Sequence, residues 1–118
     1  MFRHSWSQAR FEGEELEVSL QRLARLGYDG VELTLMTDAP AALKARLAAY
    51  GLACTSINGA YLGADRDLSS ADPALRAAAI AYVQDCLRFA AGVGAPVVIV
   101  VPTMIGKRRP DTTLDDEW

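Results

Sequence analysis

The sequence predicts an α/β fold built from parallel strand–helix units, and a pattern repeated around three glycines is the main observation behind that prediction. At Gly27, Gly51 and Gly94, a stretch with helical spacing of apolar residues ends and a short apolar or β-branched run begins at once. A glycine just past a helix end adopts the left-handed conformation that closes the last turn. Helices followed so closely by strands predict right-handed crossovers and a parallel sheet.

Three helices follow from the periodicity of the apolar residues. The second is expected to begin near Asp38, with Pro40 in its first turn. The third is expected to begin at Asp72 and Pro73, since a polar cap followed by proline is a common helix start. The predicted buried faces are, in chain order, Leu16, Leu20, Leu23 and Ala24; Leu43, Leu47 and Tyr50; and Leu75, Ala79, Tyr82, Val83, Cys86 and Ala90.

Four strands are predicted, at residues 2–7, 30–35, 52–58 and 96–101. The first has the weakest pattern, and the last is apolar without alternation, which is typical of a strand covered on both faces. After it, Thr113 and the acidic residues that follow resemble the start of a further helix, and the sequence ends there. We therefore expect the 118 residues to be the front part of a larger domain. The alternative is a frayed tail on a small, complete doubly wound domain.

The composition excludes several classes of protein. Of the 118 residues, 51% are hydrophobic and 23% are charged, with a formal net charge of −3. These values fit one folded domain and do not fit a disordered chain. The longest apolar run, residues 95–101, is too short to cross a bilayer, and the N-terminus lacks a secretory signal, so we expect a cytoplasmic protein without membrane contact. The acidic balance disfavours binding to nucleic acid.

The sequence contains two cysteines, Cys54 and Cys86, and one histidine, His4. A structural zinc site needs about four Cys or His ligands at close spacing, so these residues exclude one. Without a secretion signal, we expect both thiols to be reduced. His4 is either a catalytic base or, as is more common for a lone histidine, a structural or exposed residue.

Three residues near the ends of predicted strands are candidates for a binding site, because parallel α/β proteins build their sites there. Glu32 lies between Val31 and Leu33, and alternation turns it away from them; it is either a pocket carboxylate or a solvated strand residue. Asn58, the first residue of an Asn-Gly pair, either lines a sugar pocket or forms a turn that favours left-handed backbone. Trp6 is either a core residue or a platform on which a sugar stacks.

Two other motifs next to predicted strands bear on ligand binding. Residues 107–109, a Lys-Arg-Arg run, are either a clamp for a phosphate or carboxylate or a solvated loop. Residues 92–94, a Gly-Val-Gly run, lead from a helix into a strand. A dinucleotide-binding loop needs the reverse order, so this motif is not one.

Several sequence motifs together resemble a known family. They are G-Y-D-G-V-E-L at residues 27–33, Gly-Leu at 51–52 and D-L-S-S-A-D-P-A-L-R at 67–76. This combination resembles the N-terminal half of the sugar phosphate isomerase/epimerase superfamily, the xylose-isomerase-like TIM barrels. The superfamily includes ketose 3-epimerases, hydroxypyruvate isomerases and inosose dehydratases. The resemblance covers essentially the whole chain.

The resemblance implies an eight-stranded barrel of about 250 residues or more. Residues 1–118 would be its N-terminal portion, with about four strands and three helices. It implies a sugar or sugar phosphate substrate and a proton transfer between adjacent carbons of a ketose or related sugar. A divalent metal (Mn²⁺, Mg²⁺ or Co²⁺) would be held by later strands, so no metal ligand and no catalytic residue is assigned to this chain. Trp6, Glu32 and Asn58 would contribute pocket walls, and the chain alone is expected to be inactive.

Three alternatives to this interpretation exist. DNA-repair endonucleases of the same superfamily are similar here but carry a histidine after the third strand and another after the fourth. This sequence has Asn58 and Val101 there, so a DNA-repair site is not expected. The main rival is a small, complete flavodoxin-like domain that binds a ligand or protein without catalysis. The last is a half-barrel that closes its sheet by self-association, and we expect a homo-oligomer because a sheet of four barrel strands exposes two edges.

Overall fold

The computed structural model describes residues 5–6, 13–34 and 38–117, and for residues 5, 6, 116 and 117 it describes the backbone alone. Strands and helices alternate along this part of the chain, with a short 3₁₀ turn before the third helix. In chain order the elements are β1 (Ser5–Trp6), α1 (Leu16–Arg25), β2 (Gly30–Thr34), α2 (Pro40–Ala49), β3 (Ala53–Asn58), the 3₁₀ turn (Ala64–Arg66), α3 (Pro73–Val93), β4 (Val98–Ile99) and α4 (Leu114–Glu117).

The strands form one parallel sheet in the order β1-β2-β3-β4. This confirms the predicted α/β class with parallel pairing. Each strand pairs with the next strand along the chain, which is the arrangement of consecutive units in a barrel. A flavodoxin-like sheet has the order 2-1-3-4-5, in which the second and third strands do not pair. Because β2 pairs with β3 here, the flavodoxin-like alternative is wrong.

The helix ends follow the sequence signals closely. Gly27, Gly51 and Gly94 have φ angles of 80°, 68° and 85°, so each adopts the left-handed conformation expected after a helix. At the start of α3, the side chain of Asp72 accepts a hydrogen bond from the Ala74 amide at 2.8 Å. This bond satisfies one of the free N–H groups of the first turn, as the predicted cap requires.

No helix in the described ranges is long and apolar enough to cross a membrane.

The hydrophobic core lies between the sheet and helices α1 to α3. Most buried residues of α3 lie in its second half. Leu75, Tyr82 and Val83 are only partly buried, whereas Phe89 and Val93, which the predicted face omitted, are buried. The buried core consists of Leu16, Leu20, Leu23, Val31, Leu33, Leu43, Leu47, Leu52, Cys54, Ile57, Cys86, Phe89, Ala90 and Val93.

The fourth strand differs from its prediction. It covers Val98–Ile99 and not residues 96–101, and Val97, Ile99 and Val100 are exposed. The expectation of burial on both faces is therefore wrong for the sheet as described. As the last strand in the sheet order, β4 has a neighbouring strand on one side only, so fewer side chains surround its own than surround those of β2 or β3. Of the first predicted strand, residues 2–4 and 7 lie outside the described residues.

Candidate functional site

The site begins with Glu32, whose position follows from the alternation along β2. Val31 and Leu33 are fully buried in the core, so Glu32 lies on the opposite face of the sheet. Its carboxylate accepts a hydrogen bond from the Ser56 hydroxyl of β3 at 2.8 Å. We call this side of the sheet, which carries Glu32, Ser56 and Asn58, the polar face.

A bulge in β3 brings Ser56 to the polar face. Val31 pairs with Cys54 and Glu32 pairs with Ser56, so β3 contains one extra residue, Thr55. Strict alternation from Cys54 would place Ser56 on the core side, but the extra residue shifts the pattern by one. Ser56 is not among the site residues predicted from the sequence. The available signal was the pair of polar residues 55–56 between two apolar ones, which breaks the alternation of a strand.

Asn58 ends β3 and extends the polar face toward the carboxyl end of the sheet. It follows the buried Ile57, pairs with Thr34 of β2 and is half-buried. Of the two alternatives for Asn58, the left-handed Asn-Gly turn is wrong, because Asn58 is a strand residue and Gly59 is not among the glycines with positive φ. Gly59 is required for another reason, since a Cβ there would lie 2.7 Å from the ring of Tyr61.

Tyr61 connects the end of β3 to the end of β4. The residue is fully buried, and its hydroxyl donates a hydrogen bond to the carbonyl of Ile99 at 2.8 Å. Its ring meets that of Tyr82 edge to face, with centroids 5.9 Å apart. A tyrosine hydroxyl is an ordinary hydrogen-bond donor at neutral pH, and burial raises the pKa of Tyr61 further. Tyr61 is not among the site residues predicted from the sequence.

The remaining predicted site residues are only partly placed. The backbone of Trp6 lies in β1 and pairs with Val31, but its side chain is outside the described residues, as is the whole of His4. The structure thus brings two of the three predicted pocket residues, Glu32 and Asn58, to one face of the sheet. Their role in binding stays a prediction.

The basic run 107–109 divides into one buried and two exposed residues. The side chain of Lys107 is only 7% exposed, and its ammonium lies 3.0 Å from the carboxylate of Asp67, which is 5% exposed. Arg108 and Arg109 are exposed. Both sequence interpretations are therefore wrong for Lys107, which is neither solvated nor available to clamp an external anion.

Neither cysteine has the properties of a nucleophile. Cys54 and Cys86 are buried and form no disulfide, in agreement with the expected reduced thiols. Burial raises the pKa of the Cys54 thiol to about 11, and burial also raises the pKa of Cys86. The reactive species of a cysteine is the thiolate, so both side chains act as core residues.

Two features bear on what this part of the chain can bind. Within residues 13–34 and 38–117, no three His, Cys, Asp or Glu side chains come together as a metal site. A cavity of about 250 Å³ lies at the other end of β3, away from Asn58. Its lining consists of Lys44, Leu47, Ala48, Leu52, Ala53, Cys54, Val93 and Gly94.

Comparison with known proteins gives one matching family model and a set of similar structures. The model of the xylose isomerase-like TIM barrel family matches residues 20–118. No curated protein matches the sequence.

The similar solved structures include several epimerases. A D-psicose 3-epimerase from Clostridium cellulolyticum H10 is 20% identical with a TM-score of 0.77, covering 98% of this chain and 43% of that one. An L-ribulose 3-epimerase is 26% identical with a TM-score of 0.78, covering 98% and 41%. A 3-keto-D-glucoside 4-epimerase from E. coli is 20% identical with a TM-score of 0.69, covering 99% and 46%. The chain therefore spans less than half the length of each of these structures.

Proposed function

The chain belongs to the xylose isomerase-like TIM barrel family, and we propose that it forms part of the sugar-binding wall of an isomerase or epimerase. The four parallel strands in consecutive order match part of such a barrel and support its assignment as the N-terminal portion. Several of the similar solved structures are named as sugar epimerases. A barrel places its site at the carboxyl ends of its strands, where Asn58 lies.

The observation that carries this proposal is the polar face itself. In a closed barrel, this face points inward and the core helices lie outside. A half-buried hydroxyl–carboxylate pair, Ser56 and Glu32, followed by the amide of Asn58, offers acceptors and donors for the hydroxyl groups of a sugar. Trp6 is the third wall residue of the proposal, with its ring stacking on the C–H face of the sugar.

The proposed reaction moves a proton between adjacent carbons of a ketose or related sugar, free or phosphorylated. In the complete enzyme, a divalent metal (Mn²⁺, Mg²⁺ or Co²⁺) held outside the described residues would polarise the sugar carbonyl. The role of this chain is to bind and orient the substrate. The Glu32 carboxylate accepts a hydrogen bond from a hydroxyl group of the sugar, and the bond from Ser56 holds the carboxylate in its orientation. We propose a cytoplasmic enzyme in which residues 1–118 alone do not turn over substrate.

The experiment is a titration of the ¹⁵N-labelled chain with D-fructose, followed by the backbone amide resonances. We expect saturable shifts at Thr34, Ser56 and Asn58. Glu32→Gln should weaken binding at least tenfold, because a hydrogen bond to a charged group contributes about 1.5–3 kcal/mol. Asp85→Asn, an exposed carboxylate on α3, is the matched control and should bind as the wild type does. Shifts confined to other regions, or equal binding by both variants, would contradict the proposal.

A further inference from the structure

The loops that follow β3 and β4 are joined by a buried ion pair. We call the segment 59–72 the first rim loop and the segment 100–113 the second rim loop, since both lie at the carboxyl end of the sheet. Lys107 of the second loop reaches Asp67 of the first, with 3.0 Å between ammonium nitrogen and carboxylate oxygen. The two side chains are 7% and 5% exposed.

Each charged atom of this pair has hydrogen-bonding partners. The Lys107 ammonium donates to the Ser69 hydroxyl at 2.9 Å and also lies 3.6 Å from the Asp111 carboxylate. The second oxygen of Asp67 accepts from the Ser69 amide at 3.0 Å and from the Ser69 hydroxyl at 2.8 Å. A buried pair satisfied in this way contributes little net stability but allows only one relative geometry. It therefore fixes where the second rim loop lies.

The same two loops meet again next to the polar face. The Ile105 amide donates to the carbonyl of Tyr61 at 2.7 Å, and the Tyr61 hydroxyl donates to the Ile99 carbonyl at 2.8 Å. The ring of Tyr61 packs against Gly59, where a Cβ would come within 2.7 Å of it. Gly59 directly follows Asn58, so a continuous set of contacts runs from the ion pair to the end of the polar face.

We propose that Lys107 is a positioning residue, which holds the second rim loop against the first and so fixes Asn58 for substrate binding. This proposal rests on the proposed function, because it concerns the same site. Lys107 does not touch the sugar. Its removal should weaken sugar binding through displacement of the rim, and the weakening should be accompanied by a change at Asn58.

The test compares Lys107→Met with Arg88→Met. Arg88 forms an ion pair of 2.6 Å with Asp85 on the exposed surface of α3, so its variant removes the same charge from a pair of little energetic weight. We expect Lys107→Met to speed hydrogen exchange of the Ile105 amide about tenfold, to shift the Asn58 amide resonance and to weaken D-fructose binding about tenfold. Arg88→Met should change none of the three.

A second variant covers the case in which Lys107→Met does not fold, since it leaves Asp67 buried without its cation. Ser69→Ala removes the hydroxyl that hydrogen-bonds to both Asp67 and Lys107, and it leaves both charged side chains in place. It should produce the same three changes at smaller size. Faster exchange of Ile105 with unchanged Asn58 resonance and unchanged sugar affinity would overturn the proposal, because Lys107 would then be only a structural residue.

The outcomes also separate this proposal from the proposed function. If the wild-type chain shows no sugar-dependent shifts, the proposed function fails. The resonances of Asn58 and Ile105 in the two variants still decide whether Lys107 sets the position of the rim. If the wild type binds and Lys107→Met binds equally well with an undisturbed Asn58, the positioning role alone is overturned.

Discussion

The hydroxyl of Ser56 donates a hydrogen bond to the carboxylate of Glu32 at 2.8 Å, across the two central strands of the sheet. The bond exists because β3 contains an extra residue, Thr55, between the positions that pair with Val31 and Glu32. A local irregularity of the backbone thus builds the polar face. Bulges often redirect a side chain in this way next to functional sites.

Replacing Ser56 with alanine should lower the free energy of unfolding by about 1 kcal/mol, the usual net contribution of one hydrogen bond. The loss arises because the half-buried carboxylate of Glu32 loses a donor. Urea denaturation measures the change. Thr34→Ala, an exposed position on the neighbouring strand, is the control and should change stability little. Equal effects of the two variants would show that the bond to Glu32 has no energetic weight.

Gly30 should not tolerate alanine. A Cβ there would lie 2.6 Å from the carbonyl oxygen of Ala53 and 2.6 Å from the γ-methyl of Thr55. Overpacking of this kind costs about 1–3 kcal/mol. Thr55→Ser removes the methyl contact and leaves the contact with the Ala53 carbonyl. Added to Gly30→Ala, it should therefore recover part of the lost stability in urea denaturation. Full stability of the single variant would mean that β2 and β3 can separate easily at this point.

The sequence predicted the elements well because each depends on local chemistry. The cap at Asp72 and the left-handed glycine at Gly94 act within one helical turn. Nearby residues in the sequence therefore determine where α3 begins and ends. The length of β4 was not predictable in this way. The run 96–101 has the composition of a covered strand, but its burial depends on neighbours in the sheet, which no local pattern reports.

The candidate site was predictable only in part, for the same reason. Alternation around Glu32 sufficed to place it on the polar face, since the period of a strand is two. Ser56 depended on a bulge that shifts this period. The ion pair of Asp67 and Lys107 joins residues that are 40 positions apart in the sequence. Nothing in the basic run itself distinguishes the buried lysine from its exposed neighbours.

Stability should depend on the protonation of Asp67 at low pH. Burial acts to raise the pKa of this carboxyl, but hydrogen bonds from Ser69 and Lys107, together with the charge of Lys107, outweigh it and lower the pKa. A carboxyl with a lowered folded pKa stabilises the fold above its unfolded pKa of about 3.9 and loses that contribution as the pH falls through the folded value.

We therefore expect Asp67→Asn to be less stable than the wild type at neutral pH, with a difference that shrinks below about pH 4. Urea denaturation at a series of pH values measures both curves. Asp85→Asn removes an exposed carboxylate and should run parallel to the wild type. A difference between Asp67→Asn and wild type that is constant over the whole pH range would contradict the coupling.

Both cysteines should resist modification in the folded chain. Burial raises the pKa of Cys54 to about 11 and also raises that of Cys86, so little thiolate is present near pH 8 and access is blocked. A colorimetric disulfide reagent should label neither thiol in native buffer and both in guanidinium chloride. Rapid labelling of the native chain would show that the core opens readily around β3 or α3.

The last prediction concerns the edge of the sheet at β4. β4 pairs with β3 on one side, and around it Val97 and Val100 are 52% and 42% exposed. On the outer surface of α3, Ile80 and Leu87 are exposed as well. Apolar side chains beside an edge strand promote pairing with another chain.

We expect the 118-residue chain to form dimers or larger assemblies at about 10–100 μM, where exposed edges cause association. Light scattering coupled to size exclusion measures the mass. Val97→Lys should shift the chain toward monomer, because a charge on an edge opposes strand pairing. Leu26→Lys introduces the same charge at an exposed residue after α1 and should leave the assembly unchanged. A wild-type monomer throughout this range, or equal dissociation by both variants, would show that the β4 edge is not the surface through which copies associate.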